Sequence, residues 1–163
     1  SRCGPTSKEE IMLDKLFARF KAEAPQESAE AQLELAFAAL LVEAARIDET
    51  YDDRETAIIE RALQKRFALS GADAAALRQR AEAAQEGATD IQRFTRVAKA
   101  MTRAEKIELI EELWEIVLAD GARDPYEETL IRQICGLIYV DDQDSGAARA
   151  RAAARLQESR GQA

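Results

Sequence analysis

Carboxylates recur along the sequence at a spacing that could bind metal ions. The pattern D-x-x-x-D-x-x-E occurs twice, 72 residues apart, and a glutamate precedes each copy by five positions. These acids are Glu43, Asp48, Asp52 and Glu55 in the first copy, and Glu115, Asp120, Asp124 and Glu127 in the second. Because Ca²⁺ and Mg²⁺ prefer oxygen ligands, all eight are candidate ligands for weak divalent-cation sites. The alternative is that the pattern only marks the bend of a helical hairpin.

Helix capping explains the last two acids of each copy. Asp52 followed three residues later by Glu55 predicts a capping box at the start of a helix. Asp124, Pro125 and Glu127 predict a second start, because proline has a preset φ at the first helical position. These acids therefore need no further function.

The first aspartate of each copy is harder to explain. Asp48 and Asp120 fall at predicted helix C-termini, where the negative end of the macrodipole disfavours a carboxylate by up to about 1 kcal/mol. A bound cation would compensate, and so would a nearby arginine; the candidates are Arg46, Arg54 and Arg123. Neither copy is an EF-hand, which needs alternating acids and a central glycine.

The chemistry of the chain argues against catalysis. It contains no histidine, the commonest general base, and no glycine-rich phosphate loop. Without histidine a zinc or copper site is also disfavoured. We therefore predict a protein that is not an enzyme. A metal-dependent hydrolase with clustered carboxylates is the remaining catalytic alternative, and it requires a pocket between the two bends.

Charge restricts the partners. The net charge of −8 argues against nucleic acid and favours cations or a basic protein surface, including that of a membrane-associated protein. An acidic docking surface is the alternative to metal binding, and it would use Glu108, Glu111, Glu112 and Glu115. A solvated helix face is the simpler interpretation of that stripe. The basic last helix is expected to lie against the acidic body; its arginines are Arg149, Arg151 and Arg155.

Helix formers dominate the composition, and glycine and proline are few. Periodicity and capping signals predict an all-α bundle of seven to eight helices, with two pseudo-repeated helix–loop–helix halves. The helices are predicted at 12–24, 27–47, 53–67, 70–86, from 89–92 onward, 102–119, 125–139 and 145–158, with a connector at 141–145. The helix at 102–119 is expected to be central to the core. Residues 12–158 are predicted to form one domain, with flexible tails at 1–11 and 159–163.

The two cysteines and the apolar runs bear on location. Cys135 lies in an apolar run and is predicted to be a buried thiol, and a bridge to Cys3 is not expected. A reducing cytoplasm fits this pattern. The longest apolar stretches are far shorter than a membrane span. The oligomeric state is not predicted.

The order and spacing of several elements resemble the TerB family of tellurite-resistance proteins over about residues 28–158. The elements are Leu41–Arg46, Asp52 to Ile59, Arg66–Ser70, Thr89–Arg96, Leu113 to Arg132, and Asp144 to Arg149. The resemblance implies a compact helical fold of two related halves, a stress-related role, and metal association at the acidic positions given above. The second copy keeps the family's Ala-Asp-Gly at Ala119–Gly121, whereas the first reads Ile47-Asp48-Glu49. We expect better site geometry in the second copy.

Overall fold

The protein is all-α, as predicted. A computed structural model of the chain describes residues 28–47, 51–86, 91–119 and 125–161. This part contains seven helices and no strand. The helices are α1 (Ala29–Arg46), α2 (Asp53–Phe67), α3 (Gly71–Glu86), α4 (Gln92–Ala98), α5 (Arg103–Ala119), α6 (Pro125–Ile138) and α7 (Asp142–Gly161). The helix predicted at 12–24 lies outside the described residues.

The helix order repeats. Helices α1, α2 and α3 are followed by the short α4, and α5, α6 and α7 then repeat the first three at nearly the same spacing. The first residues of α2 and α6 are 72 positions apart, the offset of the acidic pattern. Both helices also end at a residue in the left-handed region, Ala68 (φ 53°) and Tyr139 (φ 62°). Such a residue is a common helix stop. The predicted pseudo-repeat is therefore present in the fold.

Local capping sets most helix starts. The amide of Asp73 donates to Ser70 Oγ at 3.1 Å, and the amide of Glu105 donates to Thr102 Oγ1 at 3.2 Å. The two helices were predicted to begin at residues 70 and 102, one residue before α3 and α5 begin. The start of α7 differs, because the amide of Asp144 donates to Asp141 Oδ1 at 2.7 Å. Asp141 therefore caps α7, which begins three residues before the predicted start and continues to Gly161.

The most enclosed helix is α1. Every residue from 36 to 42 has at most 1 % of its surface exposed, so this stretch is buried on all sides. Phe37 of this stretch packs edge-on against Phe67 of α2, with 5.4 Å between the ring centroids. The predicted central helix, α5, also contributes many core side chains. Residues 31–163 form one compact unit.

Helices α5 and α7 pack closely around the single tryptophan. The indole Nε1 of Trp114 donates to Ser145 Oγ at 3.1 Å, and both residues are buried. The guanidinium of Arg149 lies 5.1 Å from the ring centroid, within the range of a cation–π contact. Nearby, Cys135 is buried with a free thiol, as predicted, and burial raises the pKa of that thiol.

We expect Ser145→Ala to lower the free energy of unfolding by about 1–2 kcal/mol, because it leaves the buried indole N–H without its acceptor. Urea unfolding followed by the fluorescence of Trp114 measures this change. Ser159→Ala is the control, because Ser159 is exposed near the end of α7. Equal stabilities for the two variants would show that the Trp114 bond is not a significant link between α5 and α7.

Candidate functional site

The structure describes five of the eight candidate ligands: Glu43, Asp52, Glu55, Glu115 and Glu127. Asp48, Asp120 and Asp124 lie outside the described residues. Helix α1 ends at Arg46 and helix α5 ends at Ala119, so a helix C-terminus comes just before Asp48 and Asp120 in the sequence, as predicted.

Asp52 and Glu55 form the predicted capping box at the start of α2. The amide of Glu55 donates to Asp52 Oδ1 at 3.1 Å, and the amide of Asp52 donates to Glu55 Oε2 at 3.3 Å. Asp52 itself is exposed, whereas Glu55 is only 4 % exposed. In the second half, Glu127 occupies the equivalent position near the start of α6 and is 2 % exposed. Each copy therefore brings one glutamate into the interior beside its bend.

Glu43 faces helix α3. Its Oε2 accepts a hydrogen bond from Gln85 Nε2, which links the end of α1 to the end of α3. The guanidinium of Arg46 joins the same group: it bonds Gln85 Oε1, forms an ion pair with Glu86 at 3.2 Å and lies 5.5 Å from the ring centroid of Tyr51. Arg46 was a candidate to compensate Asp48, which lies outside the described residues; within them its hydrogen bonds go to α3.

A second network fixes the residue that follows the first bend. The hydroxyl of Tyr51 donates to Glu82 Oε1 at 2.6 Å, and Arg78 pairs with both Glu82 and Glu60. Burial and the bond to Glu82 raise the pKa of the Tyr51 hydroxyl. Burial alone would raise the pKa of Glu82, but the bonds from Tyr51 and Arg78 outweigh it and lower that pKa. Sequence reasoning missed this network, because its members come from the residues before α2, from α2 and from α3.

Glu115 lies among carboxylates that arginines of α7 neutralise. Arg155 contacts Glu111, lies 3.7 Å from Glu112 and lies 3.8 Å from Glu115. Arg151 forms a further ion pair with Glu111 at 2.9 Å. The expectation that the basic last helix lies against the acidic body is therefore confirmed.

The simpler interpretation of the acidic stripe, a solvated helix face, is wrong. The side chains of Glu111, Glu112 and Glu115 are only 17 %, 6 % and 14 % exposed, because α7 covers this face of α5. Glu108, at the other end of the stripe, pairs with Arg66 of α2 at 3.1 Å. Periodicity identified the stripe, but it could not show that α7 packs on it.

Glu112 is the most perturbed carboxyl of this cluster. Burial, together with the neighbouring charge of Glu115, raises its pKa from the ordinary 4.5 to about 7, although Arg155 acts in the opposite direction. At neutral pH the carboxyl is therefore part protonated. A group with a pKa near 7 could exchange protons with a ligand. Glu112, however, lies beneath α7 and forms part of the packed contact between α5 and α7.

Within the described ranges, no three carboxylate or thiol side chains come close enough together to hold a metal ion. Asp52 and Glu55 bond to each other, Glu43 bonds to Gln85, and Glu115 lies beside Arg155. The described acids do not form a metal cluster without the three aspartates that lie outside these ranges. Metal binding at the bends therefore stays a prediction.

Comparison with known families decides the relationship of this chain. The sequence model described as tellurite resistance protein TerB matches residues 34–150, a span that includes both acidic bends and helices α2 to α6. The chain belongs to the TerB family. No curated protein and no solved structure matches it. The TerB match confirms the resemblance drawn from the motifs and agrees with the repeated all-α fold.

The TerB match begins within α1 and ends within α7, so all of the repeated architecture falls within or beside it. None of the helices in the described residues is apolar over a length that would cross a bilayer.

Proposed function

We propose that this TerB-family chain is a non-enzymatic cytoplasmic protein of the tellurite and stress response, and that its acidic bends bind a divalent cation weakly. The cation would be Ca²⁺ or Mg²⁺, because the donors are carboxylate and carbonyl oxygens. The observation that carries the proposal is the repeated position of Asp48 and Asp120 in the sequence, each one or two residues after the C-terminus of a helix, α1 or α5.

Burial of a carboxylate is costly unless positive charge and hydrogen bonds compensate it. Glu55 has the capping bond from the amide of Asp52, and the N-terminus of α2 adds a favourable dipole. Each of these favourable terms is worth tenths of a kcal/mol to about 1 kcal/mol. A divalent cation at the bend would add a further positive charge near the start of α2.

Asp48 and Asp120 follow the C-termini of α1 and α5, where a carboxylate opposes the helix dipole. A divalent cation bound at each bend would compensate for this unfavourable position. Carbonyl oxygens at the helix ends are the hard ligands that such a cation uses.

The acidic docking surface receives less support. Its proposed residues Glu111, Glu112 and Glu115 form ion pairs with Arg155 inside the protein. A partner would have to displace α7 to reach them. Salt-dependent association measurements would test for a basic partner that contacts the more exposed acids.

The test of cation binding is a titration of the full chain with Mg²⁺, Ca²⁺ and Mn²⁺. We expect saturable amide NMR shifts at Ile47 and Tyr51, beside the first bend, and a rise in melting temperature. At ten times Kd the expected stabilisation is about 1.4 kcal/mol, or roughly 3–6 °C. The double variant Asp48→Asn and Asp120→Asn should lose both responses. An unchanged spectrum and melting temperature at millimolar metal would refute the proposal.

A pair of variants at Asp52 separates capping from cation binding. Asp52→Ala removes the cap and should cost about 1 kcal/mol of stability with or without metal. Asp52→Asn keeps the cap, because asparagine caps as well as aspartate, but it removes a charged ligand. We expect this variant to match the wild type in EDTA and to bind Mg²⁺ more weakly.

Asp53→Asn is the control, because Asp53 is exposed on the same turn and its replacement changes the charge by the same amount. Thermal melts in EDTA and in magnesium distinguish the three variants. Equal magnesium responses in Asp52→Asn and Asp53→Asn would mean that Asp52 acts only as a cap.

A further inference from the structure

A cleft of about 630 Å³ lies between α2, the end of α5 and the end of α7. Its apolar lining comes from Ile58, Ala119 and Leu156. Its charged lining is mainly basic and consists of Arg54, Arg61, Lys65, Arg155 and Arg160, against the carboxylates Glu115 and Glu158. The volume lies within the range of small-molecule sites, roughly 300–1,000 Å³.

The charge of this cleft is opposite to that of the chain. The protein carries 31 acidic and 23 basic side chains, yet among the described residues that line the cleft five are basic and two are acidic. Like charges in a concave, partly apolar site strengthen one another's field and raise the local concentration of counter-ions. This cleft therefore attracts anions although the whole molecule repels them.

Helix α2 supplies a basic stripe that folding does not explain. The residues Arg54, Ile58, Arg61 and Lys65 lie on one face of the helix, at positions i, i+4, i+7 and i+11. The pair Arg61 and Lys65 at i, i+4 repel each other, and Arg54 stands in the first turn, where the helix dipole disfavours a cation. These unfavourable interactions destabilise the helix slightly. An anion bound in the cleft would attract the same cations and make their placement favourable.

Most of the basic side chains that line the cleft are available to pair with a ligand. Among the described residues, none of Arg54, Arg61, Lys65 and Arg160 forms an ion pair, whereas Arg66, Arg78 and Arg155 each pair with two or more carboxylates. Arg155 thereby neutralises much of the acidic charge beside the cleft. That charge comes from Glu112 and Glu115, which line a small neighbouring cavity together with Arg155.

We infer that the α2–α7 cleft binds a small molecule that carries two or more oxyanion groups, of the phosphate type. Arginine forks match the geometry of such groups, and Ile58 and Leu156 provide an apolar wall for an organic part. A nucleic acid or a lipid surface fits less well, because the site is concave and the rest of the acidic chain would repel an extended polyanion.

The test is an NMR titration of the full chain with inorganic pyrophosphate and, separately, with ATP, at low ionic strength and in EDTA. EDTA removes divalent cations, so the result does not depend on cation binding at the bends. We expect saturable shifts of the amides of Arg61, Lys65 and Leu156 with both probes. Equal affinity would mean that the oxyanion groups alone are recognised, and tighter ATP binding would mean that the apolar wall also contributes.

The matched variants are Arg61→Gln with Lys65→Gln, and the control pair Arg80→Gln with Arg132→Gln. All four side chains are exposed, so folding should be unaffected, and both pairs change the net charge equally. We expect the cleft pair to weaken binding by at least about tenfold and the control pair by less than about twofold. Equal losses in both pairs, or no saturable shift with either probe, would overturn the inference.

Discussion

Replacing Glu112 with glutamine is expected to raise the free energy of unfolding at pH 8 by about 2–3 kcal/mol and to change it little at pH 4. In the folded protein burial raises the pKa of this carboxyl from 4.5 to about 7. The folded state therefore binds the proton more tightly than the unfolded state. Its contribution to stability is complete below pH 4.5 and is lost as the pH rises through 7. Glutamine cannot ionise and avoids this loss.

Urea unfolding between pH 4 and pH 8 measures the effect, and the decisive quantity is the difference between the two pH profiles. Glu108→Gln is the control, because Glu108 lies on the same stripe but is more exposed and pairs with Arg66. It should change stability by less than about 0.5 kcal/mol at pH 8. Parallel profiles for Glu112→Gln and the wild type would show that the Glu112 carboxyl is not buried in its charged form.

Removal of the arginine that faces this carboxyl should have the opposite effect. Arg155→Met keeps an apolar stem but leaves Glu111, Glu112 and Glu115 without their shared cation. Loss of one partner from a buried ion pair costs about 3–5 kcal/mol. Because Arg155 is 32 % exposed, solvent reduces the expected loss to about 2 kcal/mol at pH 8. The loss should be smaller at pH 5, where Glu112 is protonated.

Arg151→Met is the matched control: this arginine is 49 % exposed and, within the described part of the chain, pairs only with Glu111, so the expected loss is below about 1 kcal/mol. Combining Arg155→Met with Glu112→Gln should recover part of the stability at pH 8, because the buried charge is then absent. Additive effects of the two substitutions would contradict direct coupling between Arg155 and Glu112.

Local signals in the sequence were sufficient for most helix starts. Asp52 and Glu55 predicted the start of α2, and Pro125 predicted the start of α6, because a capping side chain acts on the backbone of its own turn. The same reasoning placed Asp141 in a connector, although it caps α7. In an acidic segment with several possible caps, only packing selects the one that is used.

Contacts between distant helices could not be predicted from local patterns. The acidic stripe of α5 and the arginines of α7 were both visible, but the sequence does not specify that Arg155 contacts three glutamates. Similarly, the basic stripe of α2 is readable at helical spacing, whereas the cleft needs Arg160, almost a hundred residues later. Such sites depend on how helices pack, which helical periodicity alone does not determine.

The most direct test of cation binding at the bends is anomalous scattering from crystals soaked in Mn²⁺. We predict an anomalous peak at oxygen-ligand distance, about 2.1–2.5 Å, from the carboxylates of Asp120 and Asp124, and a second at the first bend beside Asp48. The Asp120 site should be better occupied, because Gly121 permits a tighter helix stop. Peaks only elsewhere on the surface, or none at either bend, would contradict the proposal that these acids bind a cation.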